Sequence, residues 1–179
     1  MKIYYVRHGQ TDINLAKKMQ GGGTEKELNE TGISQAYNTK KELENIKYDI
    51  VICSPMKRAK QTAKIINEGR NVPIIIDERM RERKLGDYEG RDVTEDMENN
   101  IWDYKLNYNI PNGENLHDFE KRVNEFFEDI KEKYNDKNVL IVAHGGIAKV
   151  IKAHLYGMPK SKNLAEISMN NCEIIEAEI

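Results

Sequence analysis

Cysteine is scarce. Cys53 and Cys172 are the only two, too few for a disulfide scaffold and not spaced as the CxxC of a zinc or redox site, so both read as reduced thiols. No run approaches the ~20 consecutive apolar residues that a membrane helix needs, and the N-terminus lacks the apolar core of a secretion signal, so a cytoplasmic protein without a membrane partner is expected. Charge of one sign is not in excess either: 28 lysines and arginines stand against 30 aspartates and glutamates, a formal net charge of -2. That balance excludes the broad basic surface of a nucleic-acid binder and leaves anion binding to a few local arginines and backbone amides. HxH and HExxH spacings are missing, which argues against a metal hydrolase, and Gly21-Gly22-Gly23 lacks the Gly-Lys-Ser/Thr ending of a phosphate-binding P-loop. The glycine run reads instead as a flexible surface loop.

What is present is 39% hydrophobic and 32% charged residues in 179, the balance and size of one globular domain over residues 1–179. Ile3-Tyr4-Tyr5-Val6 is a short β-prone run that leads straight into Arg7-His8-Gly9, and Val139-Leu140-Ile141-Val142-Ala143 repeats the pattern into His144-Gly145-Gly146. Further strands are expected at 48–53, 72–77 and within 166–179. A helix over 31–46 would turn Ile33, Ala36, Tyr37 and Leu43 inward. A second would be N-capped by Ser54 with Pro55 in its first turn and an inner stripe of Ala59, Thr62, Ala63 and Ile66. A weak helix falls at 94–108. The clearest one runs from Leu116 to Tyr134, with Asn115 and Asp118 as its capping pair. The helix opened by Gly145 carries Ile147, Val150, Ile151, His154 and Leu155 on one stripe, which makes His154 a structural residue. Strands alternating with helices predict a three-layer α/β/α sandwich around a mostly parallel sheet. Residues 86–114, which end in Pro111-Asn112-Gly113-Glu114, form a small cap-like insertion over the crevice.

In such sheets ligands bind beyond the carboxyl ends of the strands. Two strands ending in His-Gly would, side by side, bring two imidazoles to one crevice, and Arg58 would enter it from a helix first turn, where free N–H groups already favour an anion. Arg7, Arg58, His8 and His144 together are electrostatically unfavourable unless a dianion joins them. Phosphate fits, because guanidinium forks match its oxygens in bidentate fashion.

The ordered set Arg7-His8-Gly9 with Thr11 and Asn14, Gln20-Gly21, residues 28–32, Ser54-Pro55, Arg58-Ala59, Gln61-Thr62-Ala63, Glu82 with Gly86, Glu89-Gly90, Pro111 with Gly113-Glu114, and His144-Gly145 resembles the histidine phosphatase superfamily. These are the phosphoglycerate mutase-like proteins; the match is to branch 1, in the manner of its small broad-specificity phosphatases. The resemblance implies the phosphoglycerate mutase-like α/β fold and a phosphomonoesterase acting on small phosphorylated metabolites. It implies that His8 is the nucleophile and carries the phosphoryl group, and that Arg7, Arg58 and His144 hold that group. Asn14, Gln20, Gly21 and Gly145 would lie on the phosphate side, and Glu82 would give and take the proton, with no metal or other cofactor. The alternative for Glu82 is an ion pair with Arg81 or Arg83. A phosphoglycerate mutase and a non-catalytic phospho-ligand or protein-binding relative are the alternative functions, and the assembly would be a monomer or a homodimer. Gln10 and Asn115 stand where many relatives have glutamate and serine, and with the glycine run and the 86–114 segment they bear on substrate preference.

Overall fold

The computed structural model describes all of residues 1–179. In chain order it contains β1 (Lys2–Arg7), α1 (Asp12–Leu15), α2 (Glu30–Glu42), β2 (Ile50–Cys53), α3 (Lys57–Asn67), β3 (Ile74–Ile76), α4 (Glu95–Trp102), α5 (Leu116–Lys133), β4 (Asn138–Ala143), α6 (Gly145–Tyr156) and β5 (Ile174–Glu178). Short 3-10 turns lie at Glu78–Met80, Gly86–Tyr88 and Leu164–Glu166. The sheet order is β3-β2-β4-β1-β5, parallel except for β5, which runs antiparallel to β1.

The two strands that end in histidine are neighbours in register, with Arg7 opposite Ala143, so His8 and His144 leave the sheet side by side. The interior strands are apolar on both faces because both are covered. Ile3, Tyr5, Ile50, Ile52, Val139 and Ile141 pack with Phe119, Val123, Phe126 and Ile130 of α5 and with Ile147 and Ile151 of α6. Tyr4, Val6, Val51, Cys53, Leu140 and Val142 pack with Ala59, Ala63 and Ile66 of α3 and with Leu43. The result is helices on both faces of a mostly parallel sheet. Ile101, Trp102 and Ile110 of the 86–114 segment join the larger of these clusters.

Several local expectations are corrected. Helix α3 starts at Lys57 with Met56 at its N-cap, not at Ser54, whose hydroxyl accepts from Met56 N–H and bonds His144 Nε2. Helix α2 buries Gly32, Ala36 and Thr39, while Ile33 and Tyr37 are 40% and 43% exposed. A Cβ at Gly32 would lie 2.1 Å from Gln10 O, so the close approach of this backbone turns the buried face one residue round from the expected stripe. Helix α4 stops at Trp102, because Asp103 Oδ1 accepts from Lys105 and Leu106 N–H and closes a turn instead. The third strand is confined to Ile74–Ile76, although Pro73 O and Asp77 N–H still bond Val51 and Cys53 of β2. His154 is exposed near the end of α6 rather than part of its buried stripe. Gly21 and Gly22 are buried, so the glycine run is a packed segment and not a flexible surface loop.

Candidate active site

Beyond the carboxyl ends of β1, β2 and β4 the structure brings His8, His144, Arg7, Arg58 and Glu82 together. The two imidazole centroids are 5.2 Å apart with planes at 60°, and both rings are buried. His8 Nδ1 is 2.7 Å from Gly9 O. A carbonyl can only accept, so Nδ1 carries the proton and Nε2 holds the lone pair. Into that lone pair points Arg58 Nε–H, at 3.2 Å. Burial, and then the charges of Arg58 and Arg7, hold His8 well below the usual 6.5, which keeps it neutral. His144 is held down by burial and by Arg58 in the same way.

Three groups fix these imidazoles: Tyr5 and Asn171, which the sequence did not single out, and Ser54, which it offered as a helix cap and a family match and not as a histidine partner. Tyr5 OH donates to His144 O and accepts from His144 N–H at 2.8 Å, pinning the backbone at the strand-to-helix corner. Ser54 Oγ lies 2.7 Å from His144 Nε2, while His144 Nδ1 is buried and makes no hydrogen bond. Asn171, from the loop before β5, donates to His8 O at 2.9 Å. None carries a local pattern, since each partner is more than 80 residues away along the chain.

Arg7 donates to Met169 O and keeps Nε buried without a partner. Its guanidinium carbon would lie 3.3 Å from a Cβ at Gly145, so glycine lets it lie against the first turn of α6. Arg58 is wholly buried, and burial pulls its pKa down to about 10. Its Nη1 and Nη2 donate to Thr24 O at 2.7 Å and Gly21 O at 3.3 Å. Glu82 is also buried, accepting from Gly146 N–H at 2.9 Å and Arg83 N–H at 2.8 Å. Burial raises its pKa above the ordinary glutamate value, against the pull of those two amides.

Neither arginine beside Glu82 forms an ion pair with it. Arg81 pairs with Glu78 and Glu25, and Arg83 donates to Glu114 O and Ile101 O under the ring of Trp102.

A cavity of about 530 Å³ borders this cluster at Arg7 and Glu82 and is lined further by Asn14, Gln20, Gly145 and Asn171 and by Glu98, Trp102 and Lys149. Asn14 sits in the capping box of α1, its Oδ1 accepting from Thr11 N–H. Gln20 Oε1 accepts from Thr11 Oγ1, and its Nε2 is buried without a partner. No group of three or more His, Cys, Asp and Glu side chains has the arrangement of a metal site. His117 lies elsewhere, bonded to Tyr104 O, and no helix is long and apolar enough to cross a membrane.

A family model for the histidine phosphatase superfamily, branch 1, matches residues 3–179. The phosphatase PhoE of Bacillus subtilis, described as uncharacterized, is 36% identical over 180 residues, which is 97% of this chain and 89% of that protein. The adenosylcobalamin/alpha-ribazole phosphatase of Escherichia coli K12 is 33% identical over 165 residues, or 89% of this chain and 81% of that one. Among solved structures, YhfR of Bacillus stearothermophilus superposes with a TM-score of 0.88 at 30% identity, covering 99% of this chain and 91% of its own.

Proposed function

Because the chain belongs to the histidine phosphatase superfamily, branch 1, we propose that it is a metal-independent phosphomonoesterase that hydrolyses small phosphorylated metabolites through a phosphohistidine on His8. One observation carries the proposal: His8 has its Nδ1 proton committed to Gly9 O and its Nε2 lone pair facing Arg58. This is the neutral tautomer a nitrogen nucleophile needs.

In the first step Nε2 attacks phosphorus, and the arriving phosphoryl group takes over the Arg58 Nε–H. Arg7, Arg58 and His144 then bear the negative charge on the equatorial oxygens, which is most of what phosphoryl transfer asks of a protein. The P–O bond breaks and the leaving oxygen receives the proton of Glu82, whose pKa burial raises above the ordinary glutamate value. The phosphorylated ring is cationic, and its Nδ1–H remains on Gly9 O. In the second step Glu82 takes a proton from water, the hydroxide forms the new P–O bond, the P–N bond breaks and its electron pair returns to Nε2. Orthophosphate leaves.

Asn14, Gln20 and Gly145 line the cavity, Gly21 does not and acts through its carbonyl on Arg58, and residues 86–114 act as the cap that sets the shape of the entrance. The cavity of about 530 Å³ is larger than a phosphate fills and suits a nucleoside- or sugar-sized leaving group; the alpha-ribazole phosphatase relative points the same way. Unpaired, buried Cys53 and Cys172 fit the reducing cytoplasm.

The test is turnover of p-nitrophenyl phosphate and a panel of sugar, nucleoside and glycerate phosphates, with and without EDTA. Phosphate release unaffected by EDTA, an acid-labile phosphoenzyme on quenching, and loss of both in His8→Ala are expected. Interconversion of 3-phosphoglycerate, primed by a trace of 2,3-bisphosphoglycerate and without phosphate release, would make it a mutase instead.

A further inference from the structure

Glu89 makes no hydrogen bond to the five groups above, though its charge favours the protonated Arg58, and its carboxylate gathers three donors. Oε1 accepts from Gly23 N–H and Leu85 N–H, both at 3.0 Å, and Oε2 accepts from the Thr24 hydroxyl. Two of these donors belong to residues 21–24, a strap that lies flat on residues 82–89. Gly22 N–H donates to Arg83 O at 2.8 Å. A Cβ at Gly21 would sit 2.4 Å from Glu89 Oε1, and one at Gly22 2.3 Å from Glu82 O, so the glycine run exists to allow this close approach.

The carbonyls of the same strap face Arg58. Gly21 O and Thr24 O accept from its Nη2 and Nη1. A guanidinium is planar and rigid, so fixing two nitrogens fixes the third, and the third, Nε, falls on His8 Nε2. We propose that Glu89 is a positioning residue for phosphoryl transfer: by clamping the 21–24 strap it aims Arg58 at the atom that receives the phosphoryl group. The proposal rests on the roles given to His8 and Arg58 above.

Because Glu89 works through geometry, its charge acting on Arg58 only after burial, Glu82 and Glu25, glutamine replaces it. Its Oε1 still accepts from both amides, and its Nε2 donates to Thr24 Oγ1 in place of the reversed bond. Alanine holds nothing.

The experiment compares wild type, Glu89→Ala, Glu89→Gln and Thr24→Val by kcat and KM on p-nitrophenyl phosphate and by inhibition with inorganic phosphate, with folding followed by thermal melting. Glu89→Ala is expected to lower kcat/KM by roughly 10- to 100-fold, the cost of displacing a positioning group by about an ångström, and to weaken phosphate inhibition. Glu89→Gln stays close to wild type on both readouts, and Thr24→Val falls between.

Equal losses in the alanine and glutamine variants, or an alanine variant that turns over and binds phosphate as wild type does, would overturn the proposal. Should Glu89→Ala fail to fold, Thr24→Val decides: unchanged kcat/KM and phosphate inhibition would overturn it. Failure of the underlying reading looks different, as wild type without turnover or His8→Ala as active as wild type.

Discussion

Glu82 is held between opposing demands: burial favours its neutral form, while two backbone amides and the nearby Arg58 and Arg7 favour the carboxylate. Burial wins, so the group keeps its proton to a higher pH than an ordinary glutamate. His8 is the converse, neutral to well below 6.5. A catalyst that needs His8 neutral and Glu82 protonated is therefore limited on its alkaline limb by Glu82, moved up by burial, and on its acid limb by His8, moved well below 6.5. Glu82→Gln should lower kcat/KM for an alkyl phosphate by about 10²- to 10⁴-fold and should abolish that alkaline limb. The loss with p-nitrophenyl phosphate, whose phenolate leaves without help, should be smaller. Rate–pH profiles for both substrates check this, and equal losses would remove Glu82 from the acid role. At this scale the sequence was legible where placement follows a local pattern, as at Arg7-His8-Gly9 and His144-Gly145, which do leave the sheet side by side. It was silent where a role arises from distant partners: Ser54 read as a helix cap, and Tyr5 and Asn171 as ordinary strand and loop residues, because nothing local shows a hydroxyl or an amide reaching a histidine across the fold.

The N-terminus of α6 is where an element becomes part of the site. Its second residue, Gly146, donates to Glu82, and a Cβ there would fall 2.2 Å from Glu82 Oε1 and 2.8 Å from Trp102 Cη2. Any side chain must push out either the carboxyl or the indole. Gly146→Ala should thus reproduce the Glu82→Gln defect, a loss of roughly 10²-fold on an alkyl phosphate with a milder one on p-nitrophenyl phosphate. His8 should still take up a phosphoryl group in a quench experiment. A variant with undiminished alkyl-phosphate turnover would show that Glu82 is not held by this contact. Elements were legible in proportion to the strength of their periodicity. Helix α5, with Leu116, Phe119, Val123, Phe126 and Ile130 buried at helical spacing and Asn115 accepting from Asp118 N–H, matches its expected place and cap. The buried face of α2 was misread because small residues, Gly32, Ala36 and Thr39, make its closest approach, and hydrophobic spacing gives them no weight.

Across the whole molecule, strand–helix alternation made the layered sheet legible, but not the strand order; β4 inserting between β1 and β2 is what puts His144 beside His8. That arrangement buries two imidazoles near two guanidinium groups, and the fold's stability inherits their titration. Both histidines have folded pKa values depressed below 6.5, so the unfolded chain takes up protons that the folded chain refuses. Their contribution is complete above about pH 6.5 and is lost as pH falls towards the folded values, with a slope of up to about 1.4 kcal/mol per pH unit for each group. Glu82 has the opposite sign: its pKa is raised, so its contribution is complete below about 4.5 and is lost as pH rises through the folded value. Two histidines against one glutamate leave a net loss on acidification. The melting temperature should therefore fall between pH 7 and pH 5. His144→Gln, which removes one imidazole while leaving an amide for Ser54, should flatten that fall. Inorganic phosphate, binding only the folded chain, should raise the melting temperature at every pH in the range. Melting curves at half-unit pH steps, with and without phosphate, check all three, and a His144→Gln slope equal to wild type would show that the buried pair is not the origin of the acid sensitivity.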